Sequence, residues 1–89
     1  MAVLDNRGRL LLRARVSEIS QHGLYCLTLA RRGLHIKGKV LVEVYLPTGR
    51  PGTVRRTPTR TVRYLSRIVR SEEIGQLVGL AIEFLEKLD

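Results

Sequence analysis

A single cysteine, Cys26, is all the thiol chemistry in this 89-residue chain, which rules out an internal disulfide and the cysteine-rich kind of zinc site. A reducing compartment fits that usage. Three tyrosines, one phenylalanine and no tryptophan form a poor set of stacking platforms for single-stranded nucleic acid. No apolar run approaches the ~20 residues needed to cross a bilayer, and Met1–Leu12 lacks the basic start and long apolar centre of a signal peptide. The expectation is a cytoplasmic protein with no membrane insertion. His22 and His35 have no partner at metal-ligand spacing, so no metal is expected. No glycine-rich loop ends in Lys-Ser or Lys-Thr, which removes the usual basis for nucleotide hydrolysis. His22 and Cys26 flank a turn-to-strand junction with no third group to orient the imidazole, so a non-enzymatic chain without cofactor is expected.

Acidic residues are also scarce. Lysine and arginine number 16 against 8 aspartates and glutamates, a formal net charge of +8, and arginine supplies most of the positive side. Guanidinium forks bind phosphate and carboxylate oxygens in pairs and stack on flat bases, so the expected partners are anionic. From Val44 through Ser71 there is no acidic residue, while Arg50, Arg55, Arg56, Arg60, Arg63, Arg67 and Arg70 fall in that interval. This block is either a solvated face or an anion site.

Apolar residues make up 44% of the chain, enough for one small globular domain over residues 1–89 with a modest core. Turn signals recur at short intervals, among them "NRG" at 6–8, "SQHG" at 20–23, "PTGRPG" at 47–52 and "SEEIG" at 71–75. The runs between them alternate. Leu10, Leu12, Ala14 and Val16 oppose Arg9, Arg13 and Arg15, and Val40, Val42 and Val44 oppose Leu41 and Glu43. Val62, Tyr64, Ser66 and Ile68 share one face, as do Val78, Leu80, Ile82 and Phe84. Gly79 and Ala81 look the other way, where something bulky can come close. A period of two with β-branched residues and frequent turns predicts an all-β fold, a small antiparallel split barrel. Leu85 and Leu88 suit either a short C-terminal helical turn or a frayed end. Residues 47–59, with three prolines, form a loop that either wraps the surface or extends as an arm.

The turn "SEISQHG" carries the clearest local chemistry. Ser17 and Ser20 can bond nearby backbone groups, and Gly23 permits the positive φ that a bend often needs. Read over the whole chain, Glu18, Ser20 and Gly23 followed by an apolar strand resemble the Asp/Asn-x-Ser-x-x-Gly signature of PilZ domains, small β-barrels that receive the bacterial second messenger cyclic di-GMP. "RRGLHIKGKVLVEVYLP" and "YLSRIVRSEEIGQLVGLAIEF" are similar to that family's valine-rich strand and closing hairpin. The resemblance covers about residues 9–84. It implies a PilZ-like barrel acting as a regulatory module, with cyclic di-GMP as its possible ligand. In that arrangement Ser20 and Gly23 shape the turn, Glu18 meets a base edge, and Arg15, Arg56, Arg60 and Arg63 take phosphates.

Two departures bear on the ligand. Glu18 stands where the family has Asp or Asn, and the upstream Arg-x-x-x-Arg arm that clamps the dinucleotide is missing. Arg9 and Arg13 match the spacing but read as strand residues, whereas Arg56 and Arg60 would be a substitute clamp from the proline-containing loop. Two further readings therefore stand beside the receptor. One is a degenerate PilZ-like protein-interaction module, docking a protein partner through strand edges or the basic loop. The other is a basic nucleic-acid-binding barrel, held by phosphates.

Overall fold

Alternation along the chain becomes a single sheet in the computed structural model, which describes residues 1–29, 36, 38–47 and 59–88. Its strands are β1 (Ala2–Leu4), β2 (Leu10–Arg13), β3 (Arg15–Ile19), β4 (Gly23–Leu29), β5 (Lys39–Pro47), β6 (Thr59–Ile74) and β7 (Leu77–Lys87). They pair antiparallel in the order β2-β1-β5-β6-β7-β4-β3, and the sheet curls into a half-barrel. The all-β barrel-type fold expected from the alternation is the one observed.

Residues of one parity fill the concave side. Val3, Val40, Val42 and Cys26 are fully or almost fully buried there, joined by Leu12, Leu24, Leu80 and Ile82. Cross-strand register aligns them in rows: Leu12, Val3, Val42 and Tyr64 form one, and Ile68, Ile82 and Leu24 another. Among the described residues two polar side chains are also buried, and both are bonded. Thr28 Oγ1 donates to the Arg13 carbonyl at 3.0 Å, and Ser66 Oγ to the Tyr64 carbonyl at 3.4 Å, which avoids the penalty of an unpaired buried hydroxyl.

The run "RLLLRARV" is not one strand. It breaks at Ala14, and its halves lie at opposite ends of the strand order. Ala14 N–H donates to the Met1 carbonyl at 3.1 Å, and the Met1 amino group donates back to the Ala14 carbonyl at 3.1 Å. One residue thus bridges the two edges of the sheet. A barrel corner explains why the unbroken period of two did not reveal the break: the side-chain parity of Leu12, Ala14 and Val16 survives the bend, with all three at least half-buried. Leu10 leaves the series: a bulge at Leu11 sets it opposite Leu4, on the face away from Leu12, where it is exposed.

Turns follow their side chains. At the β1–β2 turn, Asp5 Oδ1 accepts the N–H groups of Arg7 and Arg9 at 2.8 and 2.9 Å. The bond from Arg9, reinforced by that from Arg7 and by both guanidinium charges against some desolvation, holds its carboxyl below the usual aspartate value. The closing hairpin is longer than "SEEIG" implied. Ser71–Ile74 belong to β6, and only Gly75 and Gln76 turn the chain. Gly75 has φ 62° and takes the first central position, where a type II′ turn needs glycine.

The C-terminal helical turn is not formed. β7 runs through Lys87, opposite Tyr64, and the Leu88 N–H donates to the Arg63 carbonyl at 2.9 Å. Ladder pairing satisfies backbone groups that one isolated helical turn would leave open. No helix among the described residues is long and apolar enough to cross a membrane.

Candidate functional site

Gly23 opens β4 directly after the Ser20 turn, but for a different reason from the one its sequence context gave. Its φ is not positive. A β-carbon there would instead overlap the Ile82 carbonyl oxygen, because β7 passes against β4 at that point. The turn itself is held as expected. Ser20 N–H donates to the Gly23 carbonyl at 2.8 Å, and Ser20 Oγ accepts the His22 N–H at 3.2 Å. The His22 carbonyl then accepts the Phe84 N–H at 2.8 Å, tying the turn to β7.

Beside this turn lies an open cavity of about 400 Å³ whose lining includes Glu18, Ser20, His22 and Gly23 from the β3–β4 hairpin, and Val69, Ala81 and Glu83 from β6 and β7. Tyr25 lies beside it: its ring covers Gly79, where a β-carbon would overlap the phenol, and its hydroxyl donates to Glu72. That bond, more than desolvation or the Glu72 charge, raises the phenol above its ordinary range. Tyr25 is the bulky neighbour that Gly79 was expected to admit.

Register brings two arginines level with the hairpin. Arg67 pairs with Glu83, which pairs with Gly23, and Arg70 pairs with Ala81, which pairs with Tyr25 and then Glu18. Three strand spacings, about 14 Å, separate the backbones of Arg70 and Glu18. Of the expected site residues, Glu18, Ser20 and Gly23 therefore come together. Arg15 stands exposed at the start of β3, opposite Leu27 and away from the turn. Arg63 and Arg60 lie farther toward the start of β6, opposite Glu43 and Leu46, and Arg56 is outside the described residues.

Pairing also changes the electrostatics of the arginine row. Arg63 Nε meets Glu43 at 2.9 Å, Arg67 Nε meets Glu83 at 3.1 Å, and Arg70 lies 3.9 Å from Glu72. The stretch without acidic residues thus receives glutamates from β5, from β7 and from Glu72, the residue just beyond its end. Comparison with protein-family models, with curated proteins and with solved structures finds no match.

The other reactive groups serve the structure. Cys26 has no exposed surface, and burial pushes its thiol up to about 11 from 9.0. Because the folded value is the higher one, this thiol stabilises the fold below pH 9 and loses that contribution as pH rises toward 11. Ellman's reagent at pH 8 is expected to leave Cys26 unlabelled in the native protein and to label it fully in denaturant. Rapid native labelling would contradict its place in the core. Tyr64 and Phe84 stack on each other with centroids 3.9 Å apart and planes 7° from parallel, which leaves neither ring face toward the other free for a base. No group of three or more metal-binding side chains occurs among the described residues.

Tyr25, Val69, Ala81 and Glu83 were not anticipated around the turn. Only the closeness of Tyr25 to Gly23 in sequence could have flagged one of them. The rest arrive through a register that no local spacing encodes.

Proposed function

We propose that this chain is a non-enzymatic regulatory module of cyclic di-GMP signalling, working in the cytoplasm, in which the Ser20–Gly23 turn and the cavity beside it seat the dinucleotide. The observation that supports this most is the convergence of Glu18, Ser20 and Gly23 on one cavity, with Arg67 and Arg70 in the same cross-strand rows. The Glu18 carboxylate is an acceptor for the N–H groups of a guanine edge. Phosphates would draw Arg67 from Glu83 and Arg70 from Glu72. Both pairs are well exposed, and such pairs contribute only about 0–1 kcal/mol, so recruiting their arginines costs little.

A second reading, a degenerate PilZ-like module that docks a protein, is favoured by one specific feature. The acidic side chains bordering the cavity are Glu18 and Glu83, which repel a dianionic ligand. Calorimetry with cyclic di-GMP, GTP and a random oligonucleotide distinguishes these readings. Heat from the dinucleotide alone at physiological salt, abolished in Ser20→Arg, is the expected result for the receptor. Silence toward the dinucleotide with strongly salt-dependent binding of any DNA would replace it with the nucleic-acid reading. Silence toward all three favours the interaction module.

A further inference from the structure

We propose that the outer face of β6, β7, β4 and β3 binds a second copy of this chain, face to face about a two-fold axis that runs along the strands between β7 and β4. The dimer does not rest on the dinucleotide reading and is measured without nucleotide, so either can fail while the other stands.

Cross-strand rows define the face. Leu24, Cys26 and Thr28 are buried, so the alternate residues Tyr25, Leu27 and Leu29 point outward. Register extends each of them across the sheet. Ile74, Leu77 and Leu29 form one row, Glu72, Gly79, Leu27 and Arg15 the next, and Arg70, Ala81, Tyr25 and Glu18 the third. The Tyr25 hydroxyl donates to Glu72, and Arg70 lies 3.9 Å from the same carboxylate, so these side chains share the outside. The first row is apolar throughout, yet Leu29 is 67% and Ile74 47% exposed.

Charge identifies the occupant. The second row runs from acid on β6 to base on β3, and the third from base on β6 to acid on β3. A two-fold axis along the strands exchanges β6 with β3 and β7 with β4 while keeping every row level with itself. Glu72 of each copy then meets Arg15 of the other, Arg70 meets Glu18, and Leu77 meets Leu29. Within one copy, Arg15 and Glu18 form no ion pair among the described residues. An axis along the rows would match the charges as well, but it sets Ile74 on Arg67 and Leu77 on Glu83, covering an ion pair with apolar side chains. Both faces are convex, so they touch at the centre, on Leu27, Leu29 and Leu77, while the long charged side chains of β6 and β3 reach across the gap that widens on either side. Three rows on four strands cover roughly 400 Å² of flat surface per copy, about half of what a stable complex buries on each partner, so the dimer is weak and reversible.

Sedimentation velocity of the whole chain, from about 10 to 500 µM at physiological salt, tests the face. A reversible monomer–dimer equilibrium is expected. Arg15→Glu and Glu72→Arg should each weaken it at least about tenfold, because like charges then oppose each other twice. Mixing the two variants in equal amounts should restore a dimer, since each copy supplies the charge that the other now needs. Glu72 also holds Tyr25, so the urea midpoint of each variant is measured alongside. If Glu72→Arg does not fold, Glu18→Arg mixed with Arg70→Glu should give the same loss and the same rescue. A monomer across the whole range overturns the proposal. So does a dimer that neither reversal weakens, or a mixture no stronger than its components, which would place Arg15 and Glu72 in different contacts.

Discussion

Gly23→Ala is expected to destabilise the protein by about 2–4 kcal/mol, although it adds one methyl group at a surface turn. The obstacle is the Ile82 carbonyl of the adjoining strand, which cannot move without parting β4 from β7. Gly79→Ala is the informative control. Its new methyl meets the Tyr25 phenol, the far end of a side chain that can swing aside. Alanine also restricts the unfolded chain, which offsets part of the loss at either site by about 0.4–1 kcal/mol. Urea denaturation should therefore rank Gly23→Ala well below Gly79→Ala in stability. If the two are equal, or the order is reversed, close approach of backbone is not what Gly23 provides. Because Gly23 also lines the cavity at Ser20, any dinucleotide binding should be lost with the same substitution.

Leu80→Ala is the second large effect, about 2–5 kcal/mol. Leu80 is 3% exposed and packs in the central cluster, on a row with Cys26. Small domains have total stabilities near the bottom of the usual ~5–15 kcal/mol, so this one truncation should remove much of the margin. The expected measurement is a steep fall in the urea midpoint with an unchanged slope. A loss under about 1 kcal/mol would mean that the concave side of the sheet is not the principal core.

The fold was legible where burial is one-sided. Val40, Val42 and Val44 alternate with partly exposed neighbours because β5 lies mid-sheet with one face inward, and the period of two reports that directly. β1 escaped notice because three residues cannot display a period, and the Ala14 corner escaped because bending a strand leaves its parity intact. Leu85 looked like part of a helical turn because a bulge displaces it: Phe84 faces Ser66 and Glu86 faces Leu65, so Leu85 has no opposite number. The site was legible only within its hairpin. Arg60 and Arg63 were credible companions of Ser20 as charges along a chain, but register sets them opposite Leu46 and Glu43, toward the start of β6 and away from the rows that reach the hairpin. Two of the glutamates opposite the arginine row, Glu43 and Glu83, come from other strands, so counting charge along the stretch leaves them out.

The corner at Ala14 also sets a timetable. β3 needs β4, and β4 is an inner strand only once β7 lies beside it; β1 needs β5 in the same way. During vectorial synthesis β2 and β3 can pair with β1 and β4 as soon as these emerge, yet β5 and β7, the inner neighbours of those two hairpins, leave the ribosome later, β7 last. Until then the two hairpins that meet at Ala14 have no sheet to join, and the pairings that seat them, β1 with β5 and β4 with β7, span the longest stretches of chain and are the slow ones to close.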